Sequence, residues 1–298
     1  MRRVIPKGLV FTVDLSKLAD RELPVGSEMT VDEYRRTIEA PINVSSSYPE
    51  PVIIDWGDGS SEVISSGAWP THTYAADGVY QIMVRSATGH FPNVRFCADN
   101  TANPPEKNVT LALTSVDHYA GDSGTQSFRR AFQFTNNLQY VDARIIGQSG
   151  LTNIANLFVN SGVAQPFESL CLSFCTNVLN ASSAFSYCGL YGAVSRGFLD
   201  GLADCSTFNS AFRSTTGLTY IPTDLFDKCV SVESFSSVFR GCNNTALTEP
   251  YVFWKEDGTI NTDKFPSLTA ENAADAYTAC IPELRAKVPT AYGGTMTV

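Results

Sequence analysis

The chain has 298 residues, of which 43% are hydrophobic, and it carries a formal net charge of −9. At roughly 100–200 residues per domain, this length predicts two domains, and the apolar fraction is high enough for packed cores, which excludes global disorder. The acidic balance argues against sequence-independent nucleic-acid binding, which requires a basic surface. The chain has no run of about 18 apolar residues, so no membrane-spanning helix is expected.

The first seven residues carry the basic charges of a secretion signal. The apolar stretch that should follow is interrupted early by Asp14, Lys17 and Asp20. Two interpretations stay open: a signal has been removed, or the protein is made in the cytoplasm and used as it stands. The initiating Met favours the second.

The segment from residue 8 to about residue 96 has the pattern of β-structure. Strand-forming runs occur at 9–13, 41–44, 52–56 and 79–84, and turn residues such as Gly57-Asp-Gly-Ser60 and Asp77-Gly78 separate them. Several short strands with turns between them predict an antiparallel β-sandwich, which we place at residues 1–100.

Three motifs in this segment occur in a familiar order: Asp55-Trp-Gly-Asp-Gly59, His72-Thr-Tyr74 and Gly78-Val-Tyr80. Together they resemble the signature of polycystic-kidney-disease (PKD) domains, and the resemblance implies an immunoglobulin-like sandwich that acts as a spacer or docking module. Asp55 and Asp58 could ligate calcium near this tight turn, or Asp58 could cap the turn; both interpretations stay open. His72 is interpreted as a structural histidine beside Tyr74.

An internal repeat follows. Five aligned phenylalanines are spaced by 26, 27, 27 and 27 residues, at Phe132, Phe158, Phe185, Phe212 and Phe239. A second apolar position lies four residues upstream of each, at Phe128, Ile154, Ala181, Phe208 and Phe235. Apolar residues at i and i+4 form one face of a helix, so each unit is expected to contain a short helical turn, opened by a Ser or Thr cap and followed by a short strand.

The repeat resembles the leucine-rich repeats of the BspA type, found in bacterial surface proteins and bacteriophage structural proteins. The residues that carry this resemblance include Phe208-Asn-Ser-Ala-Phe212, Gly217-Leu-Thr-Tyr-Ile-Pro222 and Phe239-Arg-Gly-Cys242. The expected fold class is therefore multidomain: an all-β immunoglobulin-like sandwich (1–100) followed by an α/β leucine-rich-repeat solenoid (101–298) with a period of about 27 residues and an irregular C-terminal cap.

The repeat register makes two predictions about the core. Phe185, Phe212 and Phe239 should be buried and in contact from one unit to the next. The cysteines of the repeats should be free thiols, because Cys175 and Cys229 are two periods apart, a separation of about 10 Å at strand-like spacing, too far for a disulfide.

Neither a phosphate-binding loop nor a recognisable hydrolase motif occurs, and the three histidines, His72, His90 and His118, have no evident nucleophile beside them. We therefore predict no enzymatic activity, no metal site and no cofactor. Tyr140 and Tyr220 share one repeat offset; if exposed, they would contact a protein or a sugar, and if buried, they would fill the core.

These features favour a non-enzymatic virion structural or adhesion protein of a tailed bacteriophage, such as a fibre, baseplate or decoration component. Its expected partners are other virion proteins or copies of itself, with a host-surface protein or glycan as a further ligand, and its expected location is the virion. The alternative is a bacterial cell-surface adhesin of the BspA type, located outside the cell. Variable polar segments between the units, such as Arg213-Ser-Thr-Thr-Gly217, are the expected places for recognition.

Overall fold

The computed structural model describes residues 8–44, 50–86, 93–97, 107–120, 127–148 and 150–298. The charged segment 1–7 and His90 therefore lie outside the described residues. The chain divides into two compact units. The first contains Met1–Thr125 with Ala131–Ile145, and the second contains Gln126–Arg130 with Ile146–Val298. The first unit thus extends beyond residue 100, where the sequence pattern places the end of the first domain.

The described part of the first unit is built mainly from strands. They are β1 (Gly8–Asp14), β2 (Thr37–Glu39), β3 (Ile42–Val44), β4 (Val52–Asp55), β5 (Ser61–Ile64), β6 (Gly67–Ala68), β7 (Thr71–Thr73), β8 (Val79–Ser86), β9 (Asn93–Val94), β10 (Leu113–Ala120) and β11 (Tyr140–Val141). Its helices are α1 (Val31–Arg35) and α2 (Asn108–Ala112), with 3₁₀ turns at Leu15–Leu18 and Ala143–Ile145.

A six-stranded sheet organises this unit, in the order β11-β10-β1-β8-β4-β5. Strand β1 pairs antiparallel with both β8 and β10, which explains why the unit continues past residue 100. The first four residues of β1 are all buried; Leu9 and Phe11 are fully buried, and Phe11 packs edge-on against Phe96 at 5.3 Å. Two smaller sheets accompany it, with the orders β2-β7 and β6-β3-β9.

Short helices are fixed by side-chain caps and buried polar contacts. Thr30 and Glu33 form a reciprocal capping box at the start of α1. At the start of α2, the buried Asn108 amide donates to the carbonyls of Tyr34 and Thr37, at 2.7 and 2.9 Å. The carboxylate of Glu39 accepts the backbone N–H of Val109 at 3.1 Å.

The second unit contains few regular elements among its described residues. They are the strands β12 (Tyr191–Ala193) and β13 (Gly217–Tyr220), the helix α3 (Pro282–Arg285), and 3₁₀ turns at Phe167–Ser169, Glu271–Ala273 and Thr290–Tyr292. Successive repeats meet in parallel through single bridging residues, which run from Ser127 through Asn153, Asn180 and Thr207 to Ser234. The repeats are therefore in register with their neighbours along this unit.

The segment that contains the aligned phenylalanine is a run of tight turns, so the predicted helical turns are wrong. In an α-helix the N–H of Phe212 would bond to the carbonyl of Phe208, but here it donates to Val238 of the next repeat at 2.9 Å. The N–H of Ala211 closes a four-residue turn on Phe208, and that of Arg213 closes the next turn on Ser210. Equivalent residues have positive φ in each repeat, at Asn156, Ser183, Ser210 and Ser237.

Polar residues open these turns for a local reason. The side chain of Asn180 accepts the backbone N–H of Ser182 at 2.9 Å, and Thr207 accepts that of Asn209 at 3.3 Å. Such a bond two residues onward is the usual way in which short polar side chains stabilise a turn. The polar residue therefore stabilises a turn, and the predicted role of a Ser or Thr as the N-cap of a helix is wrong because no helix follows it.

The predicted contact between the aligned phenylalanines is confirmed. Phe185, Phe212 and Phe239 are at most 1% exposed. The ring of Phe212 stacks on Phe185 at 5.3 Å and on Phe239 at 5.5 Å, and Tyr277 continues the series beyond Phe239 at 5.4 Å. An aromatic ladder therefore runs through the core of the second unit.

The predicted fold class, an immunoglobulin-like sandwich with an α/β leucine-rich-repeat solenoid, is wrong. Among the described residues the regular elements are mostly strands, only 11% of these residues are helical, and the sheets are not those of a solenoid. The physical reason lies in the repeat: its N–H groups bond to the next repeat rather than within a helix, and its Ser and Asn residues compete with helical bonding through their own side chains.

Candidate functional site

The two-stranded parallel sheet of the second unit presents two exposed tyrosines. Tyr191 begins β12 and is 48% exposed, while Tyr220 ends β13 and is 45% exposed. In the strand pairing, Tyr191 lies opposite Gly217 and Tyr220 lies opposite Ala193. Each tyrosine therefore faces a residue with little or no side chain, and neither ring fills the core.

The sequence selects Tyr140 and Tyr220 as binding residues, and the structure places them in different compact units. Tyr140 begins β11, pairs with Ser115 of β10 and is 46% exposed. The exposed alternative for the two tyrosines is thus confirmed, whereas their role in binding stays a prediction. Sequence reasoning missed Tyr191 because it lies six residues after its aligned phenylalanine, whereas Tyr140 and Tyr220 lie eight residues after theirs.

A polar cluster surrounds the turn after β4 in the first unit. The carboxylate of Asp58 accepts the backbone N–H and the hydroxyl of Ser60, at 2.9 and 2.6 Å, and pairs with Nε2 of His72 at 2.7 Å. The imidazole of His72 stacks on Trp56 at 5.0 Å and meets the edge of Tyr74 at 4.6 Å. Asp58 caps the turn, and His72 has the structural position that the sequence predicts.

The surroundings of Asp58 keep it ionised. Partial burial alone would raise its pKa, but the hydrogen bonds from Ser60 and the contact with His72 outweigh that effect and lower the pKa to about 2. A neighbouring turn bond runs from the N–H of Gly57 to the carboxylate of Asp55 at 3.1 Å. Both carboxylates therefore have turn-stabilising partners in the folded chain.

A second polar group in the first unit joins β10 to the segment after β11. The buried carboxylate of Asp142 accepts the backbone N–H of Tyr119 at 2.9 Å and is held by the guanidinium of Arg144. Burial opposes ionisation of Asp142, but the bonds from Arg144 and Tyr119 prevail and lower its pKa. Nδ1 of His118 contacts Nη2 of Arg144 at 3.0 Å, and the same Nη2 also contacts Asp142. This cluster therefore joins β10 to the segment that follows β11.

The cysteines are free, as predicted from their spacing. The thiol of Cys242 donates to the carbonyl of Phe212 at 3.0 Å, and that of Cys280 donates to Phe239 at 3.1 Å. Burial raises the pKa of the Cys205 and Cys280 thiols to about 11, and that of Cys175 and Cys188 to about 12. Thiols held in this way are core groups with little nucleophilic character.

Within the described residues, no group of three or more His, Cys, Asp or Glu side chains is arranged to hold a metal ion. The described helices include none that is long and apolar enough to cross a membrane. Comparison with known protein families, characterised proteins and solved structures found no match to this chain.

Proposed function

We propose that this chain is a non-enzymatic binding and assembly protein, of the kind that forms fibres, baseplates or decorations on tailed bacteriophage particles. The observation that carries the proposal is the exposed pair Tyr191 and Tyr220. Each ring is about half exposed and lies on a strand that is paired with the other strand, so neither ring is needed for the core. Aromatic side chains held rigidly at a surface are well suited to contact a ligand, because little conformational entropy is lost on binding.

The state of the cysteines favours a virion protein over a secreted adhesin. Eight cysteines are present as free thiols, and two of those in the second unit, Cys242 and Cys280, donate hydrogen bonds to backbone carbonyls of its core. Free thiols are typical of proteins that fold in a reducing compartment. A virion component folds in the host cytoplasm and reaches the exterior when the cell lyses, so it needs no oxidising compartment.

The experiment is to locate the chain in the source culture. Antibodies against the full chain should detect it in density-purified particles after lysis, and gold-labelled antibodies should mark one place on each particle in electron micrographs. Recovery of the chain only as a soluble, non-sedimenting protein would contradict the proposal. Labelling of intact cells before lysis would support the adhesin instead.

A further inference from the structure

Two buried thiols occupy equivalent positions near the end of the aromatic ladder. Residues 272–280, which we call the terminal repeat, follow the repeat of Phe239 in the series. Cys242 lies three residues after Phe239, and Cys280 lies three residues after Tyr277. The N–H groups of Phe239 and Gly241 each donate to a carbonyl of the terminal repeat at 2.9 Å. Each cysteine N–H closes the same turn on its own aromatic residue, at 3.1 and 3.2 Å. The two cysteines are therefore neighbours across one step of the series.

The separation across one step suits a disulfide. Equivalent residues of repeats that pair like strands are about 4.8 Å apart, and disulfides join Cα atoms about 4.4–6.8 Å apart. The thiol of Cys280 points toward the repeat of Cys242, because it donates at 3.1 Å to the same Phe239 carbonyl that accepts the N–H of Cys242. Cys188 has the equivalent position two steps before Cys242, at about 10 Å, and Thr215 lies between them. The geometry therefore favours one pair among these three cysteines.

We propose that Cys242 and Cys280 form a disulfide that fastens the terminal repeat once the chain meets an oxidant outside the cell. The oxidant is a low-molecular-weight disulfide, RSSR. Cys280 is 6% exposed and Cys242 is fully buried, so the thiolate of Cys280 attacks RSSR first and one RSH leaves. The thiolate of Cys242 then attacks the sulfur of Cys280, and the second RSH leaves. Two electrons pass to RSSR, and the protons of the two cysteines end on the two RSH molecules.

Burial makes this reaction slow. It raises the pKa of the Cys280 thiol to about 11 and that of Cys242 well above its ordinary value, so few thiolates exist at neutral pH. Both thiols therefore stay reduced while the chain folds, and they oxidise later through local opening of the terminal repeat. The bond closes a loop over residues 243–279, where the regular period is interrupted, and it stabilises the fold by restricting the unfolded chain.

The test uses the full chain, reduced, desalted and then incubated at about pH 8.5 with bis(2-hydroxyethyl) disulfide, a small uncharged oxidant. Peptide mapping by mass spectrometry without reductant should find Cys242 linked to Cys280. The free thiols titrated in denaturant should fall from eight by two. The oxidised chain should unfold at a temperature a few degrees higher than the reduced chain.

Cys188→Ser is the matched control, because Cys188 has the same position in its repeat and the same 6% exposure as Cys280. It should form the disulfide as the wild type does, whereas Cys242→Ser and Cys280→Ser should not. The serine variants should fold, because at the equivalent position the hydroxyl of Thr215 already donates to a carbonyl of the preceding repeat at 2.5 Å.

The inference is overturned if the linked peptide is absent, if Cys188→Ser abolishes it, or if other cysteine pairs link in comparable yield. It is also overturned if the oxidised chain unfolds at or below the temperature of the reduced chain. The occasion for oxidation, release at lysis, rests on the proposed function, whereas the chemistry of the pair does not. A missing disulfide would therefore leave the proposed function standing, and absence of the chain from particles would leave the disulfide standing.

Discussion

Truncation of Phe212 tests whether the aromatic ladder holds the second unit together. Phe212 is fully buried, stacks on Phe185 at 5.3 Å and on Phe239 at 5.5 Å, and also contacts Phe167 at 5.8 Å. Phe212→Ala removes a whole ring from a site lined by three others, which cannot all close around the cavity. We expect the variant to be destabilised by about 3–5 kcal/mol, the usual range for a buried Phe.

The assay is equilibrium unfolding in urea, followed by fluorescence and circular dichroism so that separate transitions of the two units would be seen. Phe174→Ala is the matched control, because Phe174 lies in the same unit but is 67% exposed; its effect should stay within about 0.5 kcal/mol. Phe212→Leu should lose less stability than Phe212→Ala, and it replaces the alanine variant in the assay if that variant does not fold. A loss below about 1 kcal/mol for Phe212→Ala, or equal losses in Phe212→Ala and Phe174→Ala, would refute the ladder.

Three further predictions follow from buried and paired groups. A thiol reagent should react slowly with the native chain and should titrate eight free thiols in denaturant without reductant; recovery of two or more disulfides would contradict the structure. Burial raises the pKa of Glu39 above its ordinary 4.5, so Glu39→Gln should be more stable than the wild type at pH 7. Thermal unfolding should show that this difference in stability vanishes below about pH 4.5. If the variant is instead less stable than the wild type at pH 7, the ionised carboxylate is needed. The pKa of Asp58 is lowered, so its effect has the opposite sign: the ionised Asp58 stabilises the folded chain above pH 3.8, and this stabilisation is lost as the pH falls through about 2. The stabilities of the wild type and Asp58→Asn should therefore converge in acid unfolding scans. A difference in stability that persists below about pH 2 would argue against the ionised pair with His72.

The strands of the first unit could be predicted because their signals are local. The runs 9–13, 52–56 and 79–84 correspond to β1, β4 and β8. The alternating burial in β4 and in the middle of β8 follows from the two-residue period of a strand, whereas the first four residues of β1 are all buried. The order of the sheet could not be predicted in the same way. Strand β10 pairs with β1 across more than 90 residues of chain, and the sequence has no local mark of that partner.

For the repeat, the predicted register was correct although the predicted secondary structure was wrong. The spacing of Phe185, Phe212 and Phe239 correctly predicted burial and contact, because apolar residues at equivalent positions must share one core. The spacing between Phe208 and Phe212 was interpreted as a helix face. Two consecutive four-residue turns also bring residues i and i+4 to the same side, so periodicity alone does not separate the two structures. The positive φ of Ser210 distinguishes the turns from a helix, but a serine in the sequence does not indicate a positive φ.

The candidate site was found only in part from the sequence. Tyr220 was selected by comparing equal repeat offsets. In the repeat that contains Tyr191, the common offset is occupied by Ala193, which lies opposite Tyr220. Tyr191 comes near Tyr220 only through the pairing of β12 with β13, and a comparison of offsets does not show that pairing.

The most direct test of the binding role compares fluorescently labelled full chain with its Tyr191→Ala, Tyr220→Ala double variant on cells of the source host. Binding should saturate for the wild type and fall at least tenfold in affinity for the double variant, while the two proteins share one urea unfolding curve because both rings lie outside the core. Equal binding of the two proteins would contradict the claim that the tyrosines of the second unit form the ligand surface.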